Sequence, residues 1–264
     1  HADYATVLVD PVNLPDVARA LVGSLAAPPD PDHGDRDWDV VDLRRWRQGD
    51  PALHALAMAF RDAKALNDWT VALNAEDVCP IVTLPEDGGW DDYLATLEKK
   101  ARHEIRRKIR RAEREGEIVF TSVEPTPENV EAFITLHQAR WGDQGLFPQT
   151  EGGQRSRHFF HRIAELESAE GVNRQLEFGR VTVGGLLIFA TVAFDDGATS
   201  YFYNAGMDPE ARDLSPGVTG TAAYLKDHID AGRRRFDFLR GNEPYKYEWG
   251  AVDEPIYRLL VTRS

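Results

Sequence analysis

Three short apolar runs, separated by two hairpin-turn signals, constrain the fold of this chain more than any other feature. The runs cover 174–181, 186–194 and 199–206, and the turn signals are Gly184-Gly185 and Asp195-Asp196-Gly197. Glycine pairs and Asp-Gly sequences supply the positive φ angles that tight hairpin turns require. The pattern therefore predicts three consecutive antiparallel strands.

The rest of the chain alternates helical and extended patterns. A helical pattern at 215–232 is followed by apolar runs at 235–239 and 256–262, and the longest helical pattern covers 90–116. Segments 26–37 and 142–157 are polar and predict loops, and the second loop is expected to cover a site. Such an order predicts an α/β (α+β) fold, with a mixed, largely antiparallel central sheet flanked by helices.

Composition excludes several classes of protein. The single cysteine, Cys79, cannot form an internal disulfide, which fits a cytoplasmic location. No apolar run approaches the roughly 18 residues that a membrane-spanning helix needs. The net charge of −13 argues against a general nucleic-acid coat protein, since such proteins carry a basic excess.

The segment 236–250 combines carboxylates, tyrosines and one lysine. Asp237 lies in an apolar run that breaks at Gly241, and Lys246 then stands between two tyrosines. A fixed positive charge of this kind can stabilise an oxyanion in acyl transfer. Paired charges are more often structural, so Lys246 can equally hold the segment onto Asp237 or Glu243.

A second candidate site is the start of the helix at 215–232. Ser215 can serve as its N-cap, and Pro216 suits the first helical position. The following N–H groups lack intrahelical acceptors, and the missing side chains of Gly217 and Gly220 let an anion approach them. An ordinary capped helix, whose glycines allow close packing on a sheet, explains the same residues.

A basic helix is predicted from Lys99 to Arg111. Eight lysines and arginines there face a single acid, Glu104, and apolar residues recur at three- and four-residue steps. Such a helix either binds phosphate groups or is neutralised by acidic neighbours.

Motifs along most of the chain resemble one family. They are Cys79-Pro80-Ile81-Val82-Thr83-Leu84-Pro85, Trp90, Tyr93, the basic helix, 136–141, 159–161, 201–209, Ser215-Pro216-Gly217, 237–241, Glu243, Tyr245-Lys246 and Trp249. In order and spacing they resemble the CelD-like branch of the GNAT acetyltransferases, which is related to the Fem peptidoglycan aminoacyl ligases. Gly217 and Gly220 alone stand in the place of the family's pyrophosphate motif.

The resemblance implies a GNAT fold built as two pseudo-repeated halves, with the first half incomplete. The halves are expected at 1–123 and 124–264. It also implies an enzyme that transfers an acyl group from acetyl-CoA or another acyl-CoA to the amine of a small molecule or peptide. The backbone N–H groups of 201–204 would polarise the acyl carbonyl in such a reaction.

A direct-transfer mechanism gives particular residues hypothetical roles. A carboxylate accepts the amine proton, Lys246 stabilises negative charge and a tyrosine protonates the leaving group. The predicted catalytic residues are Lys246, Asp237, Glu243, Tyr203 and Tyr245. The predicted cofactor-binding residues are Ser215, Gly217, Val218, Gly220, Asn204, Arg102 and Arg106, and no metal ligand is predicted.

Two other functions stay open at this point. A Fem-like ligase would use aminoacyl-tRNA, with the Lys99–Arg111 helix against the RNA. A non-catalytic scaffold in an envelope or polysaccharide pathway would leave the pocket empty. The oligomeric state is not predicted.

Overall fold

The computed structural model describes residues 3–27, 38–64, 67–169, 171 and 173–263, so most of the predicted loop at 26–37 lies outside the described residues. The chain divides into two compact units. The smaller unit comprises 1–79, 240–242 and 253–264, and the larger comprises 80–239 and 243–252.

Eight α-helices and eight strands are found in the described residues. The helices are α1 (Leu14–Ala26), α2 (Pro51–Lys64), α3 (Trp90–Thr96), α4 (Lys99–Glu113), α5 (Pro127–Trp141), α6 (Glu151–Glu167), α7 (Pro216–Asp230) and α8 (Pro244–Tyr247). The strands are β1 (Val40–Arg47), β2 (Trp69–Thr83), β3 (Ile118–Val123), β4 (Leu176–Val183), β5 (Leu186–Asp195), β6 (Thr199–Met207), β7 (Arg235–Asp237) and β8 (Val252–Arg263).

The smaller unit contains β1, β8 and most of β2, in that order across its sheet. β1 and β8 are antiparallel. α1 and α2 cover this sheet, and their apolar residues share one buried cluster with Trp69 and Leu259. The burial of these side chains is what stabilises the unit.

The larger unit contains the end of β2 followed by β7, β6, β5, β4 and β3. The three predicted strands are β4, β5 and β6, which pair antiparallel through the two predicted hairpins. β6 and β7 are parallel and are joined by α7. The predicted α+β fold with a mixed, largely antiparallel sheet is confirmed.

Alternation along the strands assigns the two faces of this sheet to different helices. On β4, Phe178 packs in a cluster with α5 and α6, whereas Val181 packs in a cluster with α3, α4 and α7. Successive residues of a strand point to opposite faces, so the two clusters lie on opposite sides of the sheet.

Three local predictions differ from the structure. The helical pattern at 90–116 is two helices, because Leu97 is extended and buried between them. α6 begins at Glu151, inside the predicted loop at 142–157, because Thr150 caps it by accepting the N–H of Gly153. The residues at 74–77 also predict a turn between two extended runs, and this turn is absent because β2 is continuous.

The boundary between the compact units falls near residue 79 and not near residue 123. β3, which the prediction assigned to the first half, pairs with β4 in the larger unit. The proposed duplication into 1–123 and 124–264 stays a prediction, since a repeat need not coincide with a compact unit.

Gly206 sets the distance between α5 and β6. A Cβ atom at Gly206 would lie 2.3 Å from the backbone nitrogen of His137, which no real contact allows. We expect Gly206→Ala to lower the free energy of unfolding by about 1–3 kcal/mol, because the helix must move away from the strand. Urea denaturation measures this change.

Gly152 provides the matched control. It lies in α6 with only Thr150 Oγ1 near a would-be Cβ, at 3.7 Å. Gly152→Ala should stabilise the protein by about 0.5–1 kcal/mol, because alanine loses less backbone entropy in a helix. Equal effects of the two substitutions would contradict the steric account.

Candidate active site

The parallel strands β6 and β7 separate in the middle of the larger unit's sheet. Their register covers Thr199 with Arg235, Ser200 with Phe236, and Tyr201 with Asp237, where β7 ends. β6 continues to Met207. Its pairing with β5 shifts between Val192 and Ala193, which leaves Tyr203 as the extra residue of a β-bulge. Bulges are over-represented beside active sites.

The start of α7 lies beside the carboxyl end of β6. A Cβ atom on Gly217 would lie 3.5 Å from Met207 Cε, the last residue of that strand. Ligands of open α/β sheets bind outside the carboxyl ends of the strands. Lys246 and its neighbours follow the carboxyl end of β7. Because β6 and β7 are parallel, both candidate segments lie at the carboxyl ends of these strands.

The sequence predicted that Ser215 caps α7, but the side chain of Ser215 does not do so. It has a left-handed backbone (φ 50°) and its side chain makes no capping hydrogen bond. Its carbonyl oxygen instead accepts the N–H groups of Val218 and Thr219, both at 2.9 Å. Since Pro216 has no N–H, Gly217 is the first-turn amide for which the described residues supply no acceptor. Fewer first-turn N–H groups are therefore open to an anion than the sequence predicted.

Gly220 has a packing role. A Cβ atom there would lie 2.3 Å from Cγ of Phe189, a buried ring of β5. The absent side chain makes room for this ring and not for an anion. Gly217 is different, because its would-be Cβ makes only ordinary contacts. Binding of a cofactor by Ser215, Gly217, Val218 and Gly220 stays a prediction.

Lys246 and Asp237 act together on the backbone of Leu239. Leu239 has φ 57°, which is strained for a bulky residue. Its N–H donates to Asp237 Oδ1 at 2.7 Å, and its carbonyl accepts from Lys246 Nζ at 3.0 Å. Asp237 and Lys246 are both buried. These two contacts hold the strained turn that follows β7.

Glu243 and Tyr245 are more accessible to a substrate. Glu243 accepts from Lys246 Nζ at 2.9 Å, and its side chain is 56% exposed. Tyr245 packs edge-on against Phe238. Partial burial and the charge of Glu243 raise the pKa of Tyr245 to about 12, so this hydroxyl keeps its proton at neutral pH. Of the two predicted carboxylates, Glu243 is therefore the one that solvent reaches.

The predicted residues of β6 face α5 and α6. The ring of Tyr203 lies 6.2 Å from those of Phe160 and Phe194. Asn204 Oδ1 accepts the N–H of Ala205, and its side chain also hydrogen-bonds to His137. Burial lowers the pKa of His137 to about 4, although the bond to Asn204 acts in the opposite sense, so this imidazole is neutral. A role for Tyr203 and Asn204 in catalysis stays a prediction.

The two predicted arginines of α4 turn toward α3. Arg106 pairs with Asp91 at 2.8 Å, and Arg102 donates to the carbonyl of Ala95 at 3.0 Å. Arg111, which was not predicted, pairs with Asp213 in the segment just before α7. Through this pair the basic helix lies beside the start of α7.

Sequence reasoning missed a buried polar network around His228. Its Nε2 lies 3.2 Å from Glu177 Oε2 and 3.4 Å from Asp195 Oδ2, while Nδ1 lies 3.0 Å from the carbonyl of Tyr224. Both ring nitrogens thus face acceptors, so the ring is an imidazolium. Arg233 Nε donates to Asp195 Oδ2 at 2.7 Å, and the Tyr224 hydroxyl donates to Glu177 Oε2 at 2.9 Å.

The network balances two positive charges with two negative charges. Burial alone would lower the pKa of His228, but its bonds to Asp195 and Glu177 raise that pKa to about 9. Burial opposes the charge of Asp195, yet His228 and Arg233 lower its pKa to about 2. Glu177, Asp195 and His228 offer ligand atoms within 4.8 Å of one another, as a metal site would. Because Arg233 and the imidazolium already neutralise both carboxylates, we assign the cluster a structural role.

A family model described as an acetyltransferase (GNAT) domain matches residues 99–247. The match covers more than half of the chain, which therefore belongs to the GNAT acetyltransferase family. The search of curated proteins found no match. No helix among the described residues is long and apolar enough to cross a membrane.

Solved structures share the fold at low sequence identity. FemX is similar with a TM-score of 0.59 and 13% identity, over 97% of this chain and 81% of FemX. The C-terminal domain of a putative lysylphosphatidylglycerol synthetase from Agrobacterium fabrum has a TM-score of 0.54 and 13% identity, over 95% of this chain and 73% of its own. A conserved protein of unknown function from Bacteroides thetaiotaomicron has a TM-score of 0.50 and 15% identity, over 78% and 67%. These similarities show a shared fold.

The contacts of Asp237 and Lys246 with the backbone of Leu239, here called the clamp, predict energetic coupling between Leu239 and Lys246. Lys246→Met removes the ammonium that holds the Leu239 carbonyl, and should lower the free energy of unfolding by about 2 kcal/mol. In a Leu239→Gly background the turn is no longer strained, so the same substitution should cost at least about 0.5 kcal/mol less. Chemical denaturation of the four proteins measures the difference.

Leu214→Gly supplies a control background, because it also truncates a buried leucine but lies outside the clamp. The cost of Lys246→Met should be unchanged there. Additivity in both backgrounds would show that Lys246 does not hold the turn.

The charge of His228 predicts a pH-dependent stability. A folded pKa of about 9, raised from 6.5, gives a stabilisation that is fully present below pH 6.5 and is lost as the pH rises through 9. The loss should be on the order of 3 kcal/mol. His228→Gln should be less stable at pH 6 and lack this loss, as measured by urea denaturation between pH 6 and 10.

His158→Gln is the control, because His158 is an exposed histidine of α6. It should keep the wild-type dependence on pH. A wild-type stability that stays constant between pH 7 and 10 would refute the buried imidazolium.

Proposed function

We propose that this chain is an N-acyltransferase that moves an acyl group from an acyl-CoA, such as acetyl-CoA, directly to an amine. The observation that carries the proposal is the separation of β6 and β7 beside the start of α7. An extended donor arm with amide groups can lie along β6 beyond Tyr201, because β7, the neighbouring strand on that side, ends opposite Tyr201.

The donor's phosphates would lie at the start of α7. The N–H of Gly217 points there, and the helix dipole adds about half a positive charge. The basic residues of α4 stand alongside, tied to this region by Arg111 and Asp213. A polyanionic carrier would be attracted by these charges together.

The chemistry needs one base and one acid. The amine nitrogen attacks the thioester carbonyl while the exposed carboxylate of Glu243 accepts the amine proton, directly or through water. The carbon–sulfur bond then breaks, and the hydroxyl of Tyr245, which is neutral before this step, donates its proton to the departing thiolate. Backbone N–H groups near the bulge at Tyr203 would polarise the carbonyl. Lys246 and Asp237 would hold the turn that positions Glu243.

A second candidate is a ligase that takes its acyl group from aminoacyl-tRNA. The similarity to FemX and the basic α4 favour it. The direct transfer would be the same, with an ester in place of the thioester. The acceptor would be a peptide amine, whereas an acyl-CoA enzyme can also use a small molecule. Membership of the CelD-like branch is part of the first proposal.

Acetyl-CoA binding tests the first candidate. At 100 times its dissociation constant, acetyl-CoA should stabilise the protein by about 2.7 kcal/mol in thermal denaturation. Gly217→Asp should weaken binding at least about ten-fold, because it places a negative charge where the phosphates lie. Gly152→Asp is the matched control, since Gly152 is likewise the second residue of a helix, and it should bind normally.

The tRNA candidate gives the opposite pattern. Aminoacyl-tRNA should then bind with an affinity that falls steeply with salt and with Lys99→Glu/Lys100→Glu, while acetyl-CoA has no effect on stability. If neither donor binds, both candidates fail and a non-catalytic scaffold is left.

A further inference from the structure

A groove of about 340 Å³ lies between α4, β3 and α7 in the larger unit. Its floor is apolar, and much of it consists of residues that only partly enter the core. These include Trp90, Ile109, Ile118 and Phe120, which pack against the buried cluster while one side of each stays accessible. An accessible apolar floor of this kind can bury apolar side chains of a bound partner.

The rim of the groove is acidic. Glu113, Glu117, Asp227 and Asp230 stand there with a single cation, Lys226. Glu113, Glu117 and Asp230 make no ion pair with other described residues, unlike most arginines of the neighbouring α4. Partial burial and the charges of Glu177 and Asp230 raise the pKa of Asp227, although His228 opposes them. The groove therefore carries an excess of negative charge.

One side of the groove is the open edge of the sheet. β3 is the last strand in the order, and in the described chain it pairs with β4 alone. Four consecutive residues, Glu117 to Phe120, line the groove, so it follows the backbone of β3. Ile118 and Phe120 alternate with Val119, which is 39% exposed. Edge strands of this kind accept a further strand.

We propose that the groove binds a cationic polypeptide segment in extended conformation, which adds as a strand to the edge of β3. This groove is distinct from the candidate active site at β6 and β7. The proposal therefore goes beyond acyl transfer. Alternate apolar side chains of the segment cover Ile118 and Phe120, and its lysines or arginines face the acidic rim. Main-chain hydrogen bonds to β3 supply affinity and the pockets supply specificity.

Two features favour a peptide over a small polycation. The floor repeats every second residue along β3, which matches the side-chain period of an extended peptide. The backbone N–H and C=O groups of an edge strand pair with another backbone, and a polyamine has no carbonyl to offer in return.

Fluorescence anisotropy with synthetic peptides tests the proposal on the full chain. The probe is a labelled, capped heptapeptide of alternating lysine and valine. It should bind, whereas the glutamine–valine counterpart and the lysine–valine peptide with N-methylated amides along one edge should each bind at least about ten-fold more weakly. Equal binding of the three peptides would overturn the proposal.

Charge variants locate the binding. Glu117→Gln/Asp230→Asn should weaken binding by about five-fold, because two rim charges are lost. Glu86→Gln/Glu210→Gln removes two exposed acids that do not line the groove, and should leave binding unchanged. Equal losses in both variants would show that only the net charge acts, and would refute the site.

Two competitors decide between occupants. Spermine should displace the peptide only at concentrations at which sodium chloride of equal ionic strength does so. Displacement by spermine at low ionic strength would assign the groove to a small polycation instead. Light scattering should show that the peptide does not dissociate an oligomer, because a second copy that occupies β3 would also overturn the proposal.

Discussion

The short parallel pairing of β6 with β7 is the constraint on which the candidate site depends. Only three residue pairs join the two strands, after which β7 ends and β6 continues with a bulge. Because α7 connects these strands, its first turn must return to the sheet at the place where they separate. The strained turn at Leu239 then leads the chain away from β7, with Asp237 and Lys246 fixing its two backbone groups.

The sequence predicted the sheet well because its signals there are local. Gly184-Gly185 and Asp195-Asp196-Gly197 marked the hairpins of β4, β5 and β6, and Pro216 marked the first residue of α7. The family match and the fold agree with the resemblance to GNAT acetyltransferases that the motifs indicated. The break at Leu97 was not predicted, since a helical periodicity continues across it and the extended residue is as apolar and buried as a helical one would be.

The candidate site was less predictable because its contacts are not local. Glu177, Asp195 and His228 come from three elements, and no spacing in the sequence indicates that they meet. Gly220 is a glycine in the first two turns of a helix, as anion sites often have, yet the space that its side chain would need is filled by the ring of Phe189 from β5. Residue type therefore indicated which groups matter, and the tertiary fold decided whether each one packs, pairs or faces solvent.

The close crossing of α5 over Gly206 has a consequence for comparisons among relatives. The helix backbone occupies the volume that any side chain at this position would need. A relative with a larger residue there must hold its corresponding helix farther from the sheet. The residue type at one aligned position thus records an interlayer spacing, and can be consulted in proteins known only from their genes.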